Sequence, residues 1–125
     1  MSEIIEGVRH IDKEELHELL HSPEHRSIIV VDVREPHEYI AGHIPTLPLV
    51  PMNEIAAYAD QMDKEREYVF VCRSGYRSLQ VSKYFQHLGF PHITNYLGGM
   101  LEWDKEIVTG PEKIIEDFSP EQLER

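Results

Sequence analysis

One stretch of ten residues, Val69–Ser78, constrains the fold more than any other part of the chain. It begins with three apolar residues, typical of a buried strand, and runs directly into Cys72, the single cysteine of the protein. A short segment with Arg73, Gly75 and Arg77 follows. Beyond it, apolar residues at four positions between 81 and 88 recur at helical spacing. The stretch therefore predicts a buried strand, a tight loop and a helix, with a thiol where the strand ends.

The predicted loop would surround Cys72 with positive charge. The first amides of a helix lack internal partners and carry the positive end of the helix dipole, and successive amides in a curled loop bind anions. Arg73 and Arg77 add full charges at the rim. The alternative, an inert buried cysteine, does not account for two nearby arginines, because arginine is rarely buried without a partner. We therefore predict a reactive thiolate, although either arginine could instead form an ion pair with a nearby carboxylate.

The length of the loop distinguishes between two reactions. Cysteine phosphatases use a C-x5-R pattern, whereas Arg77 follows Cys72 with one residue fewer between them, and position 78 is a serine. A tighter loop suits a single outer sulfur atom better than a phosphoryl group with three oxygens. Sulfur transfer is the favoured reaction, and phosphatase or arsenate chemistry is the alternative.

Three segments resemble the motifs of the rhodanese family. The loop Cys72–Ser78 is similar to the active-site loop of that family, residues 32–45 resemble its D-x-R…E-[FY]-x-x-G-H-I-P segment, and residues 97–103 resemble L-x-G-G-x-x-x-W. The motifs occur in the family's order and cover most of residues 8–107. Residues 46–48 depart from the family, because Thr-Leu-Pro stands where small residues are usual. The resemblance implies an α/β fold of three layers, in which helices flank a central, mainly parallel sheet.

The resemblance also implies a reaction without a cofactor. Cys72 would take the outer sulfur from a small anionic donor such as thiosulfate, and would hold it as a persulfide until a thiol, cyanide or a protein accepts it. A persulfide-carrying or sensing module with little turnover is the alternative. The loop residues expected to bind the donor are Arg73, Ser74, Gly75, Tyr76, Arg77 and Ser78.

Three residues of the second motif are expected to support the loop. Residues 28–33 form a continuous apolar run, typical of a central parallel strand, and ligands gather beyond the carboxyl ends of such strands. Asp32 and Arg34 should therefore lie at the same sheet edge as Cys72, and we favour a structural ion pair over contact with substrate. His43 could serve acid–base chemistry, but we favour an interpretation in which it holds its loop by hydrogen bonds.

Local patterns outside the loop predict further elements. Asp12 and Glu15 form a capping box that starts a helix. Asn53 is positioned to cap a helix that reaches residue 62, and a strand is expected after Pro45. Gly98 and its neighbour Gly99 should open a helix that carries residues 100, 103 and 107 on one side, and two glycines suggest a close backbone approach to the reactive loop.

The segment His17–His21 matches the H-E-x-x-H pattern of zinc proteases. It lies on a short predicted helix that Pro23 ends, and the carboxylates that could complete a site, Glu35 and Glu38, belong to the second motif. We interpret the two histidines as part of a solvated helix face and predict no metal site.

Composition sets the remaining expectations. The net charge of −11 argues against nucleic acid or an anionic membrane as a main partner. No apolar run approaches the length of about 18 residues needed for a membrane span, and the start of the chain lacks the pattern of a signal peptide, so a cytoplasmic location is expected. The length of 125 residues predicts one rhodanese-like domain over residues 1–108. An acidic C-terminal extension over residues 109–125 would be a docked strap or a flexible tail.

Overall fold

The computed structural model describes residues 3–125, which form a five-stranded sheet with helices on both faces. The strands are β1 (Glu3–Ile5), β2 (Val8–Ile11), β3 (Ile29–Asp32), β4 (Tyr68–Val71) and β5 (Ile93–Tyr96). They lie in the order β1-β2-β5-β4-β3. Within the described residues, the β1–β2 pair is antiparallel and the other three pairs are parallel. The α/β fold with a mainly parallel sheet is therefore confirmed.

The helices are short: α1 (Lys13–His21), α2 (Pro36–Ala41), α3 (Met52–Tyr58), α4 (Tyr76–His87) and α5 (Gly99–Glu102). The capping box of Asp12 and Glu15 starts α1 as predicted, and Gly89 follows α4 with a left-handed φ of +95°, as expected for a residue that ends a helix. Turns of 3-10 helix lie at residues 23–25, 59–61 and 120–123.

The core has two parts, one on each face of the sheet. On one face, Val31 and Phe70 of the sheet pack with Phe85 of α4. On the other face, Val30 and Val71 pack with residues of α1 and α5. Every residue of β3 is buried, as its continuous apolar run predicts for a strand covered on both sides.

Two local predictions are wrong. Pro51 occupies the N-cap of α3 and Asn53 lies within its first turn, because a proline has no N–H to lose and favours the start of a helix. The residues directly after Pro45 form isolated bridges instead of the regular strand that was expected. Thr46 has a φ of +72°, and Pro48 has no amide to donate to a ladder, so a regular strand is interrupted.

The predicted helix after the glycine pair forms, but it ends at Glu102. Trp103 has extended backbone angles and packs edge-on against Tyr96. Ile107 therefore lies outside the helix and is half exposed. Strand β1 was not predicted, since only three residues form it.

The C-terminal segment follows the edge of the sheet beside β3. Leu49 forms bridges both to Asp32 and to Ile114, so residues 48–50 cover the edge of β3 and the C-terminal segment pairs with Leu49 on its other side. Leu123 is 1% exposed and belongs to the core beside Phe70. The guanidinium of Arg125 donates to backbone carbonyls of residues 20, 25 and 28.

We propose that residues 109–125 are part of the folded domain, and Leu123 tests this. The change Leu123→Ala should lower the free energy of unfolding by about 2–5 kcal/mol, because it leaves a cavity in the core. Urea denaturation measures the effect. The matched control is Leu101→Ala, since Leu101 is 61% exposed and its truncation should cost less than about 0.5 kcal/mol. Equal small effects for both variants would show that the segment is not held in the core.

Candidate active site

Cys72 lies directly after β4, where the sheet meets the loop that leads to α4. Its side chain is fully buried and forms no disulfide. The Sγ atom accepts a hydrogen bond from the amide of Gly75 at 3.1 Å and another from the hydroxyl of Ser78 at 3.3 Å. The predicted order of strand, loop and helix is confirmed. Within the described residues, the loop presents one amide and one hydroxyl to the sulfur, fewer amides than the sequence suggested.

The loop is pressed against the segment that follows β5. Gly75 has a φ of +93°, and a Cβ atom there would overlap the carbonyl oxygen of Leu97. Gly99 has a φ of +62°, and a Cβ atom there would overlap the carbonyl oxygen of Arg73. The amide of Met100 donates to the carbonyl of Cys72 at 2.8 Å. The predicted close approach of the glycine pair to the reactive loop is therefore confirmed, with Gly99 as the residue that makes it.

The two arginines of the loop have different surroundings. Arg77 donates two hydrogen bonds of 2.8 Å to the carboxylate of Glu38 on α2. The pKa of Arg77 is raised, mainly by this pair, and the charges of Cys72 and Asp32 contribute. Arg73 is exposed, and its guanidinium has no ion-pair partner within residues 3–125. Thus Arg73 is an exposed positive charge at the rim, whereas Arg77 joins the loop helix to α2.

The ion pair between Arg77 and Glu38 should make the stability of the folded protein depend on pH. Its hydrogen bonds hold the pKa of Glu38 at about 2, below the ordinary 4.5. The pair therefore stabilises the folded protein above pH about 4.5, and this contribution is lost as the pH falls towards 2. Glu38→Gln should lower the free energy of unfolding at pH 7 by about 1–3 kcal/mol, and by progressively less between pH 4.5 and 2.

Urea denaturation of both proteins over this pH range checks the expectation. The control is Glu116→Gln, because Glu116 is exposed and its loss should change stability by less than about 0.5 kcal/mol at any pH. A difference between wild type and Glu38→Gln that stays constant on acidification would contradict the assignment.

Asp32 and Arg34 form a buried ion pair. Arg34 Nε lies 3.0 Å from both carboxylate oxygens of Asp32, Nη2 lies 2.8 Å from one of them, and Nη2 also donates to the carbonyl of Gly42 at 2.8 Å. Asp32 is paired with Val71 in the sheet, which places it at the same edge as Cys72, as expected. The favoured interpretation, a structural ion pair, is the arrangement observed.

His43 is fully buried and contacts acceptors with both ring nitrogens. Nδ1 lies 2.9 Å from the carbonyl oxygen of Tyr39, and Nε2 lies 2.9 Å from Oε1 of Glu112. The ring also stacks on that of Tyr39 at 3.6 Å. His43 thus holds its loop by hydrogen bonds, as the favoured interpretation has it, and it ties the C-terminal segment to α2.

The H-E-x-x-H segment lies on α1, away from the reactive loop. The rings of His17 and His21 are 4.3 Å apart, and His21 Nδ1 contacts the carbonyl oxygen of His17. Among residues 3–125 there is no group of three histidine, cysteine, aspartate or glutamate side chains placed to hold a metal ion.

The roles of two residues at the site were not predicted from the sequence. Glu38, the partner of Arg77, lies 39 residues before it; its place in the second motif is the only signal that could have drawn attention to it. Asn95 on β5 donates to the carbonyl of Gly75 at 3.2 Å. A carboxamide in the middle of a predicted buried strand is a feature of the sequence that could have indicated it.

None of the helices in the described part of the chain has both the length and the apolar character needed to cross a bilayer.

Comparisons with known proteins agree with this architecture. YtwF of Bacillus subtilis is 42% identical over 79 residues, which are 63% of this chain and 76% of YtwF. A protein of Allochromatium vinosum named sulfurtransferase is 35% identical over 96 residues, which are 77% of this chain and 88% of that protein. The structure of the human single-domain sulfurtransferase TSTD1 superimposes with a TM-score of 0.65 at 32% identity, covering 78% of this chain and 96% of that one. The model of the rhodanese-like domain matches residues 12–106. The chain therefore belongs to the family of rhodanese-like domains.

Proposed function

We propose that the protein is a sulfurtransferase that carries sulfane sulfur on Cys72. The observation that supports this most directly is the lone thiol at the end of β4, whose sulfur accepts hydrogen bonds from the Gly75 amide and the Ser78 hydroxyl. Such donors suit a sulfur that bears negative charge, as a thiolate and as a persulfide. The names of the Allochromatium vinosum and human relatives support the same activity.

The reaction has two steps. In the first, the Cys72 thiolate attacks the outer sulfur of a small anionic donor such as thiosulfate. A new S–S bond forms, the donor's own S–S bond breaks, and sulfite leaves with the electron pair, so that Cys72 becomes a persulfide. In the second, a thiol, cyanide or a protein acceptor attacks the outer sulfur, and the thiolate of Cys72 is released. Electrons balance between donor and acceptor, so neither step needs a cofactor.

The loop residues take separate parts in this proposal. The Gly75 amide and the Ser78 hydroxyl stabilise the charge on sulfur. Arg73, whose guanidinium is exposed and has no ion-pair partner in the described part of the chain, attracts the anionic donor against the negative charge of the whole protein. Arg77 orients the donor at the start of α4. Because Cys72 is fully buried, the reactive loop, which carries the exposed residues Ser74 and Tyr76, has to shift to admit the donor.

In this proposal, Asp32, Arg34 and His43 stabilise the structure around the reactive loop and do not bind the donor. They contact neither Cys72 nor the Gly75 amide by any hydrogen bond of the described residues. The acidic chain is expected to act without nucleic acid or a membrane as partner. A free thiol as the working group is most simply maintained in a reducing compartment, and we propose the cytoplasm as the location.

Mapping of the transferred sulfur tests the proposal. The protein is incubated with excess thiosulfate without reductant, and mass spectrometry locates any added sulfur atom. We expect one sulfur atom on Cys72, its removal by cyanide, and no label on Cys72→Ser. An unlabelled cysteine under donor excess would overturn the proposal.

Turnover separates the remaining alternatives. A sulfurtransferase shows saturation kinetics with thiosulfate and cyanide, whereas a carrier or sensing module loads once and stalls. Release of phosphate from an aryl phosphate at a comparable rate, with no sulfur label, would favour phosphatase chemistry instead.

A further inference from the structure

A chain of buried polar groups runs beneath the reactive loop. Asn95 on β5 and His10 on β2 are neighbours in the sheet register and are 0% and 1% exposed. Asn95 Nδ2 lies 3.2 Å from the carbonyl oxygen of Gly75 and 3.2 Å from His10 Nδ1. At the far end, His10 Nε2 lies 3.3 Å from the carbonyl oxygen of Ile5. The chain therefore connects the edge of the sheet to the residue whose amide contacts Sγ.

The partners determine the orientation of every group in this chain. The carbonyl of Gly75 only accepts, so the Asn95 atom that faces it must be the amide nitrogen. His10 Nδ1 faces the same nitrogen and must then be the acceptor. The ring proton is consequently on Nε2, which faces the carbonyl of Ile5. One tautomer of His10 and one orientation of Asn95 satisfy all three contacts.

Fold stability alone does not account for the carboxamide at position 95. Its Oδ1 atom is buried and has no hydrogen-bond partner among residues 3–125, and a buried polar atom without a partner costs folding free energy. One sheet neighbour of Asn95, Phe70, belongs to the apolar core, and the other, His10, is the partner described above. An apolar side chain of similar size would avoid the cost at Oδ1 but would leave His10 Nδ1 without its donor, so the hydrogen bonds of Asn95 bring little net stability.

We propose that Asn95, held by His10, is a positioning residue for the reactive loop. Both backbone polar groups of Gly75 form hydrogen bonds: its amide donates to Cys72 Sγ, and its carbonyl accepts from Asn95. The carbonyl also accepts from the amide of Leu79 in α4, and it lies 3.3 Å from Ser78 Oγ, whose single proton is shared between this carbonyl and the sulfur. The hydrogen bond from Asn95 fixes the turn at Gly75 and thereby keeps its amide aimed at the sulfur. The effect of this hydrogen bond on the rate of turnover rests on the proposed sulfur transfer.

The test compares Asn95→Leu with wild type in three measurements. We expect the rate of Cys72 alkylation by iodoacetamide to fall about tenfold, because the hydrogen bond to a charged sulfur is misaligned. The value of kcat/KM for thiosulfate should fall by the same factor, whereas the melting temperature should change little, because the variant loses the unpartnered Oδ1 but also leaves His10 Nδ1 without its donor. The control is Thr94→Val, which removes a hydroxyl on the opposite face of the same strand and should change both rates less than twofold.

Two further variants keep the test decisive if Asn95→Leu does not fold. Asn95→Asp preserves size but sets an acceptor against the Gly75 carbonyl, and it should slow alkylation at least as much. His10→Leu should slow alkylation about threefold in the wild-type background and not at all when combined with Asn95→Leu. Unchanged alkylation in folded Asn95 variants would overturn the proposal. Because alkylation does not require sulfur transfer, it tests Asn95 even if the wild-type protein proves inactive with thiosulfate.

Discussion

Replacement of Gly75 by alanine should abolish measurable sulfur transfer and strongly destabilise the protein. The residue combines a φ of +93° with a position at which a Cβ atom would overlap the carbonyl oxygen of Leu97. The loop would have to move away from the segment after β5, and the amide that donates to Cys72 Sγ would move with it. We expect the free energy of unfolding to fall by more than about 4 kcal/mol, because steric overlap and backbone strain at a buried position are among the most destabilising effects of a substitution. Turnover should fall below about 1% of wild type.

The chain contains a matched control for backbone strain. Gly110 has a φ of +96°, and a Cβ atom there would meet nothing within 4 Å. Gly110→Ala should therefore show the strain of the left-handed conformation alone, about 1–2 kcal/mol, with turnover unchanged. Urea denaturation and thiosulfate kinetics on both variants separate strain from overlap. Equal losses of stability would show that the contact between Gly75 and Leu97 does not constrain the loop.

The reactive loop could be predicted because all its determinants lie within a few neighbouring residues. An apolar run ending in Cys72, a glycine three residues later and helical spacing beyond it are local patterns, and strand, loop and helix follow from them. The capping box of α1 is equally local. The glycine pair is an intermediate case, since its composition predicts a close approach but only the fold identifies Arg73 as the residue approached.

The partners of the polar side chains could not be predicted in the same way. Glu38 meets Arg77 across 39 residues of chain, and His43 meets Glu112 across 69. No periodicity relates such positions, because their contact depends on how β3, β4 and the C-terminal segment are arranged around the sheet. The wrong prediction of Asn53 as the cap of α3 has a local cause. Both Asn53 and Pro51 are plausible helix starts, and the helix begins after Pro51.

Substitution of Arg77 should separate donor binding from support of the fold. If Arg77 orients the anionic donor, Arg77→Ala should lower kcat/KM for thiosulfate about 100-fold, the usual cost of removing one positioned donor group. Glu38→Gln removes the ion pair but leaves the guanidinium, and it should lower kcat/KM less than threefold. Alkylation of Cys72 by the neutral reagent iodoacetamide should change less than threefold in both variants, because the two groups that donate directly to the sulfur, the Gly75 amide and the Ser78 hydroxyl, are retained.

Lys83→Ala is the control for Arg77→Ala, because it removes a cation from the same helix at an exposed ion pair with Glu6. It should change kcat/KM less than twofold, so a large effect at position 77 would reflect placement rather than the net charge of α4. Arg77→Lys retains the charge without the two-pronged geometry and should recover part of the lost activity. Should Glu38→Gln reduce kcat/KM as much as Arg77→Ala does, the arginine acts by joining α4 to α2, and its assignment to the donor is wrong.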